Sequence, residues 1–415
     1  MRITVVIAML IGLVAADEPA AQALDLAEAL RLAETRSARL AAQRHSVDAA
    51  SEQVERSREL PDPKLKVGIE NLPLTGVDRY RYDRDFMTAR RLGWMQEFPN
   101  EAKRSARGER AARARDVEQA GLAAQGVMLR KEVASAWFDA HFAERMRTAL
   151  ERLAGQFDLQ TGLAAAGIAR GRLQASDSYS LRIAHEQAND RVIEAERVRA
   201  KARIALGAWL GDDARRPLGA APDTARLPHS REALIERLAR HPAQRVYDDR
   251  EALAQAEVEL ARAGKKADWS VEVGYGQRQP YFENQITLML AFELPVLAER
   301  RQDRDIASRL ADVERVRAER EDARRMHEAE VRGWLADFDS AQRRIERFER
   351  ILLPLALERR ELSLAAYRGA RAELAPVLEA ERNVTETELA FLQAQAERAK
   401  AWAAVSFLER HGEAK

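Results

Sequence analysis

The sequence predicts a mixed fold in which long helices alternate with short strands, laid out twice along the chain. Three observations carry this. Apolar residues keep a three-or-four spacing through most of the chain but switch to a spacing of two in four short stretches. The order helix, strand, strand, helix, helix occurs twice. Both strand pairs end in Glu-(Phe/Leu)-Pro, at Glu97-Phe98-Pro99 and Glu293-Leu294-Pro295, and run straight into a long charged helix pattern.

Composition favours an elongated molecule. At 415 residues the chain exceeds the size at which one globular core stops growing. Charged residues make up 33% and aromatics 6%, a balance typical of long helices. Lys+Arg and Asp+Glu stand at 68 and 67 and are interspersed, which describes solvated helix surfaces and leaves no nucleic-acid footprint. Met1-Arg2, the apolar run Ile3–Val14 and the small residues that follow have the form of a secretory signal over 1–23, cleaved after Ala23 or, in competition, after Ala16. Without cysteine there is neither a disulfide nor a lipid-bearing N-terminal Cys. No later segment approaches 18 uninterrupted apolar residues, so an exported chain of this kind is either soluble or enters a membrane as strands.

The first repeat spans 24–210. A helix reaches about Glu59, where Pro61 and Pro63 stop it. Leu65, Val67 and Ile69 then alternate with Lys64, Lys66, Gly68 and Glu70, a strand with one apolar face. After the loop Asn71–Asp85, a second strand runs over Phe86–Phe98, closing the strand pair 64–98, although Arg90 and Arg91 blur its alternation. Pro99 opens a hairpin of long helices over 100–210. Its first arm, about 55 residues, would reach about 80 Å. Gly162, Gly167 and Gly171 are expected to interrupt it and form the turn. A Pro-rich connector, 211–230, leads to the second repeat, 231–411. There a helix Arg231–Ala263 precedes the strand pair 269–294, and a hairpin follows over 296–411, ahead of a tail 412–415. Val331, Leu335, Phe338, Ile345, Phe348, Leu352 and Leu355 keep heptad spacing along that hairpin's first arm. Val67-Gly68 and Val273-Gly274 are 206 positions apart, while Pro99 and Pro295 are 196 apart, so the first copy has the longer inter-strand loop.

Four strands with one apolar face leave open edges and cannot close a barrel. Three chains would supply twelve, enough for a barrel with its apolar side in lipid. The predicted fold class is therefore a membrane β-barrel shared by a homotrimer, continued by a long α-helical coiled-coil barrel. Ala394, Ala396, Ala399, Ala403 and Ala404 form a seam that permits close helix packing.

The doubled order resembles the TolC-like outer membrane factors over nearly the whole mature chain. Glu70-Asn71-Leu72-Pro73-Leu74-Thr75-Gly76, Asp85-Phe86-Met87-Thr88 and Trp94-Met95-Gln96-Glu97-Phe98-Pro99 are similar to the branch that serves heavy-metal cation pumps (CzcC/CusC-like). Tyr367-Arg368-Gly369 through Leu374-Ala375-Pro376-Val377-Leu378-Glu379-Ala380 resembles the family's periplasmic tip, with Ala370 where its glycine is expected. The resemblance implies an outer-membrane efflux channel with a periplasmic helical domain. Its partners would be a periplasmic adaptor (membrane fusion) protein, an inner-membrane RND-type pump and outer-membrane lipid. Heavy-metal cations are the implied cargo. Drug efflux, type I protein secretion and a soluble periplasmic scaffold are the alternatives.

No catalytic constellation is present, no cofactor is implied, and the seven histidines are scattered without a metal-binding spacing. The residues singled out are structural or pore-related. Pro99 and Pro295 would mark the barrel-to-helix junction, each opening its helix where a missing N–H costs nothing. Gly167, Gly171, Gly369, Arg371, Glu373 and Glu379 would form the tip, as adaptor contact or gate. Its glycines would supply turns with positive φ, and Glu373 and Glu379, repeated threefold, a cation-favouring ring. By strand parity Met289 is a possible lumen residue.

Overall fold

A computed structural model describes residues 23–169, 174–238, 241–369 and 371–408. The proposed signal peptide, except for Ala23, and the tail lie outside the described residues, as do Gly171 and Ala370. The elements in order are α1 (Leu26–Arg36), α2 (Ala38–Arg58), β1 (Lys64–Glu70), β2 (Ala89–Phe98), α3 (Glu101–Ala169) and α4 (Ala175–Leu210). After a short 3-10 turn follow α5 (Arg231–Leu238), α6 (Pro242–Ala263), β3 (Asp268–Gln277), β4 (Gln285–Glu293), α7 (Gln302–Arg347), a π turn (Phe348–Leu352), α8 (Leu353–Arg368) and α9 (Ala375–Ser406). Two compact units arise, and they cut across the sequence repeats, each drawing residues from both halves.

One unit takes the described parts of Met1–Arg36 with Arg130–Leu227 and Ala336–Ala404. Its core runs along the helices. Leu153, Ala154 and Phe157 of α3 pack with Leu181, Ala184 and Ala188 of α4 and with Leu374, Val377 and Leu378 at the start of α9. Trp137 and Phe138 are fully buried. The Trp137 indole donates to the Leu24 carbonyl (3.1 Å), and Leu24 is itself held by a hydrogen bond from its own N–H to Pro217 (2.8 Å).

The other unit takes Ser37–Leu129, Pro228–Leu335 and the described part of Val405–Lys415. It holds an antiparallel sheet in the order β1-β2-β3-β4, in which β2 pairs with β3 across the two repeats. Ala254 and Val258 of α6 pack against Val313 and Val316 of α7. Arg317 and Arg320 of α7 donate to the buried Glu251 of α6 at 2.8 and 2.5 Å.

Several elements differ from expectation for identifiable reasons. The first helix is two, because the Ser37 hydroxyl accepts from the Leu40 N–H and caps a new start. The helix expected over Arg231–Ala263 likewise splits: Pro242 takes the first position of α6 behind the His241 cap. The second strand begins at Ala89, so Phe86 and Met87 belong to a turn. Gly162 and Gly167 do not interrupt α3, which continues to Ala169, since glycine weakens a helix without breaking it. The heptad seam holds at Phe338 and Ile345 but fails at Leu355, which is 57% exposed while Ala356 is 6% exposed. The π turn adds one residue and advances the buried stripe by one.

Candidate functional site

The strand residues sort onto two chemically opposed faces. Register places Leu65, Trp94, Val273 and Leu288 in one row and Val67, Leu92, Tyr275 and Ile286 in the next. Every one of these eight is exposed, Ile286 to 81%. Such a contiguous apolar surface calls for a covering medium. Arg90 shares this face at its outer end and lies over the Tyr82 ring.

The opposite face is polar. Lys66 Nζ donates to Glu272 Oε2 at 2.7 Å, Arg91 Nη2 donates to Glu272 Oε1 at 3.2 Å, and Arg91 Nη1 reaches Glu70. Lys64 Nζ pairs with Glu97 at 2.5 Å. Met289 lies on this face, in the row Lys64, Met95, Glu272, Met289. The parity of Lys66, Arg91 and Glu272 was available in the sequence. Their convergence required strand register.

The two prolines at the strand-to-helix junction behave differently, and neither opens a helix. Asn100 caps α3: its side chain accepts from the Lys103 N–H (2.8 Å), leaving Pro99 one residue outside the cap. Asp268, the first residue of β3, accepts from the Asn100 N–H (2.9 Å) and from Lys103 Nζ (2.5 Å), tying the start of α3 to the sheet. Sequence reasoning missed this trio, although an Asn after proline with polar residues beyond is a capping signal. After Pro295, Val296-Leu297-Ala298 offers no cap, and the chain makes tight turns until α7 starts at Gln302.

At the other candidate region, Gly369 has φ −81 and donates its N–H to Ala365, so it extends the last turn of α8 and does not use a positive φ. Gly167 lies in the last turn of α3. Arg371 and Glu373 are exposed, and Glu379 is paired with Arg359 at 2.7 Å. Burial holds the Tyr367 phenol above its ordinary pKa, with Asp177 adding to the effect. Burial also raises the Glu381 carboxyl. Arg360 partly opposes that rise and Glu361 reinforces it.

The scattered histidines include one pair that folding brings together. His241 and His327 have ring centroids 4.2 Å apart, and His241 Nδ1 accepts from the Ala243 N–H. Among the described residues no group of three or more His, Asp or Glu side chains is disposed to hold a metal ion, and no helix is long and apolar enough to cross a membrane.

This is the fold of TolC-like outer-membrane channels. The chain is similar to CusC, with a TM-score of 0.76, 16% identity and 92% of each chain covered. It is similar to a membrane protein from Pseudomonas aeruginosa, with a TM-score of 0.78, 19% identity and 92% of each chain covered. It is also similar to the outer membrane protein VceC of Vibrio cholerae, with a TM-score of 0.75 and 17% identity over 92% of this chain and 95% of that one. No protein-family model and no curated protein sequence matches it.

Proposed function

We propose that the chain is the outer-membrane channel of a tripartite efflux pump. Three copies close a twelve-stranded barrel, the apolar sheet face meets lipid, and the polar face lines a water-filled pore. The observation that carries this reading is the sheet itself: four strands, too few to close, with one face that exposes rows of apolar side chains and one ion-paired polar face. The helices extend into the periplasm, where the tip residues Gly167, Gly171, Gly369, Arg371, Glu373 and Glu379 contact an adaptor or act as gate. Pro99 and Pro295 stand at the boundary between barrel and helices. Transport energy comes from an inner-membrane RND-type pump, so the chain performs no catalysis. Heavy-metal cations are the cargo, a choice supported by the strand-region motifs and by the likeness to CusC among the similar folds.

Two experiments test this. The detergent-extracted protein should run as a trimer and give steps of conductance in a planar bilayer; a detergent-independent, non-conducting protein would be a scaffold. Deleting the gene should lower tolerance to metal cations. Unchanged metal tolerance with raised sensitivity to organic toxins would transfer the channel to drug efflux.

A further inference from the structure

On the polar sheet face the cations are matched to carboxylates by folding. Lys64 has Glu97, and Lys66 and Arg91 share Glu272, with Glu70 at the far side of Arg91. Glu272 is therefore the hinge of a four-member chain across three strands. Its side chain is 13% exposed, and that of Arg91 16%.

The backbone is shaped to hold that chain. Gly93 and Gly274 are register partners. A Cβ built on Gly274 would stand 2.7 Å from Arg91 Nε and 3.0 Å from Nη2, and one on Gly93 would stand 3.4 Å from Glu272 Oε1. Gly274 thus leaves the room that the Arg91 guanidinium occupies, whereas a Cβ on Gly93 would make only ordinary contact with the Glu272 carboxylate. Lys66 and Glu272 are also repeat-equivalent positions, 206 apart, so the duplicated site carries opposite charges that now neutralise each other.

We propose that Glu272 sets the ion selectivity of the barrel, holding Lys66 and Arg91 so that the wall does not repel cations. This rests on the channel reading and on the polar face lining the pore. Removing the Glu272 charge uncovers one positive charge per chain. For a charge about 8 Å from the ion path in water, screened by salt over about one Debye length, that is expected to lower the cation-to-anion permeability ratio roughly twofold. Three chains around one pore add to the effect.

The test is the reversal potential of single channels in a KCl gradient. Glu272→Gln, close in shape, should shift selectivity toward anions, Lys66→Gln should shift it toward cations, and the double variant should return near the wild type. Gly274→Ala should also move the ratio, by displacing Arg91. Shifts of opposite sign from two single substitutions are not a product of misfolding, and a detergent-stable trimer provides the assembly control. Wild-type permeability ratios in conducting Glu272→Gln and Lys66→Gln channels would overturn the proposal while leaving the channel intact. A wild-type protein that never conducts would remove the channel reading itself.

Discussion

The amide of Leu353 donates to the carbonyl of Phe348, five residues back. Pro354 explains the wide turn. It has no N–H for the carbonyl of Arg350, and its ring would clash with that carbonyl in an unbroken α-helix. The extra residue rotates α8 so that Ala356 takes the buried place that heptad spacing assigns to Leu355.

Ala356→Leu should therefore overpack the helix interface and cost about 1–3 kcal/mol in denaturant unfolding. The unshifted heptad predicts no such loss, since it puts position 356 outside the seam.

At the junction, Asp268→Ala removes the acceptor of the Asn100 N–H and the partner of Lys103. Leaving a part-buried donor unsatisfied costs about 1–3 kcal/mol. The loss should appear as a lower urea midpoint. Hydrogen exchange should show it concentrated in the first turns of α3 and the start of β3.

Glu381 provides a pH test. Its folded-state pKa lies above the ordinary carboxylate value of 4.5, chiefly through burial. Between those two values the folded chain keeps a proton that the unfolded chain has released, so stability falls as pH rises through that window. Above it the penalty is fully present. Glu381→Gln should raise the unfolding temperature at neutral pH, and its advantage should shrink as pH falls to 4; a constant gap across that range would show that titration is not its source.

Gly155 sits within α3 with nothing inside 4 Å of the place where a Cβ would stand. Gly155→Ala should stabilise by about 0.5–1 kcal/mol through helix propensity alone. A destabilised variant in equilibrium unfolding would mean that another surface covers this position.

Much of the architecture was legible because it is written in periodicity. Alternation over Leu65–Ile69 and Trp269–Tyr275 identifies strands, and the breaks at Pro61 and Pro63 bound a helix. Features that failed to appear depend on single residues competing with a neighbour's pattern. The Ser37 cap, Pro242 and Pro354 each override an otherwise continuous helical spacing. Gly369 shows the converse: its residue type signals a turn, but its negative φ comes from the helix it extends.

The sequence by itself determined the doubled order of elements and which strand residues share a face, because pleat and helix pitch act over a few residues. Tertiary structure decided which charges meet. Lys66 and Arg91 lie 206 and 181 residues from Glu272, and only the pairing of β2 with β3 across the repeats brings them onto one carboxylate. Register is a long-range outcome of strand association, and no local period encodes it.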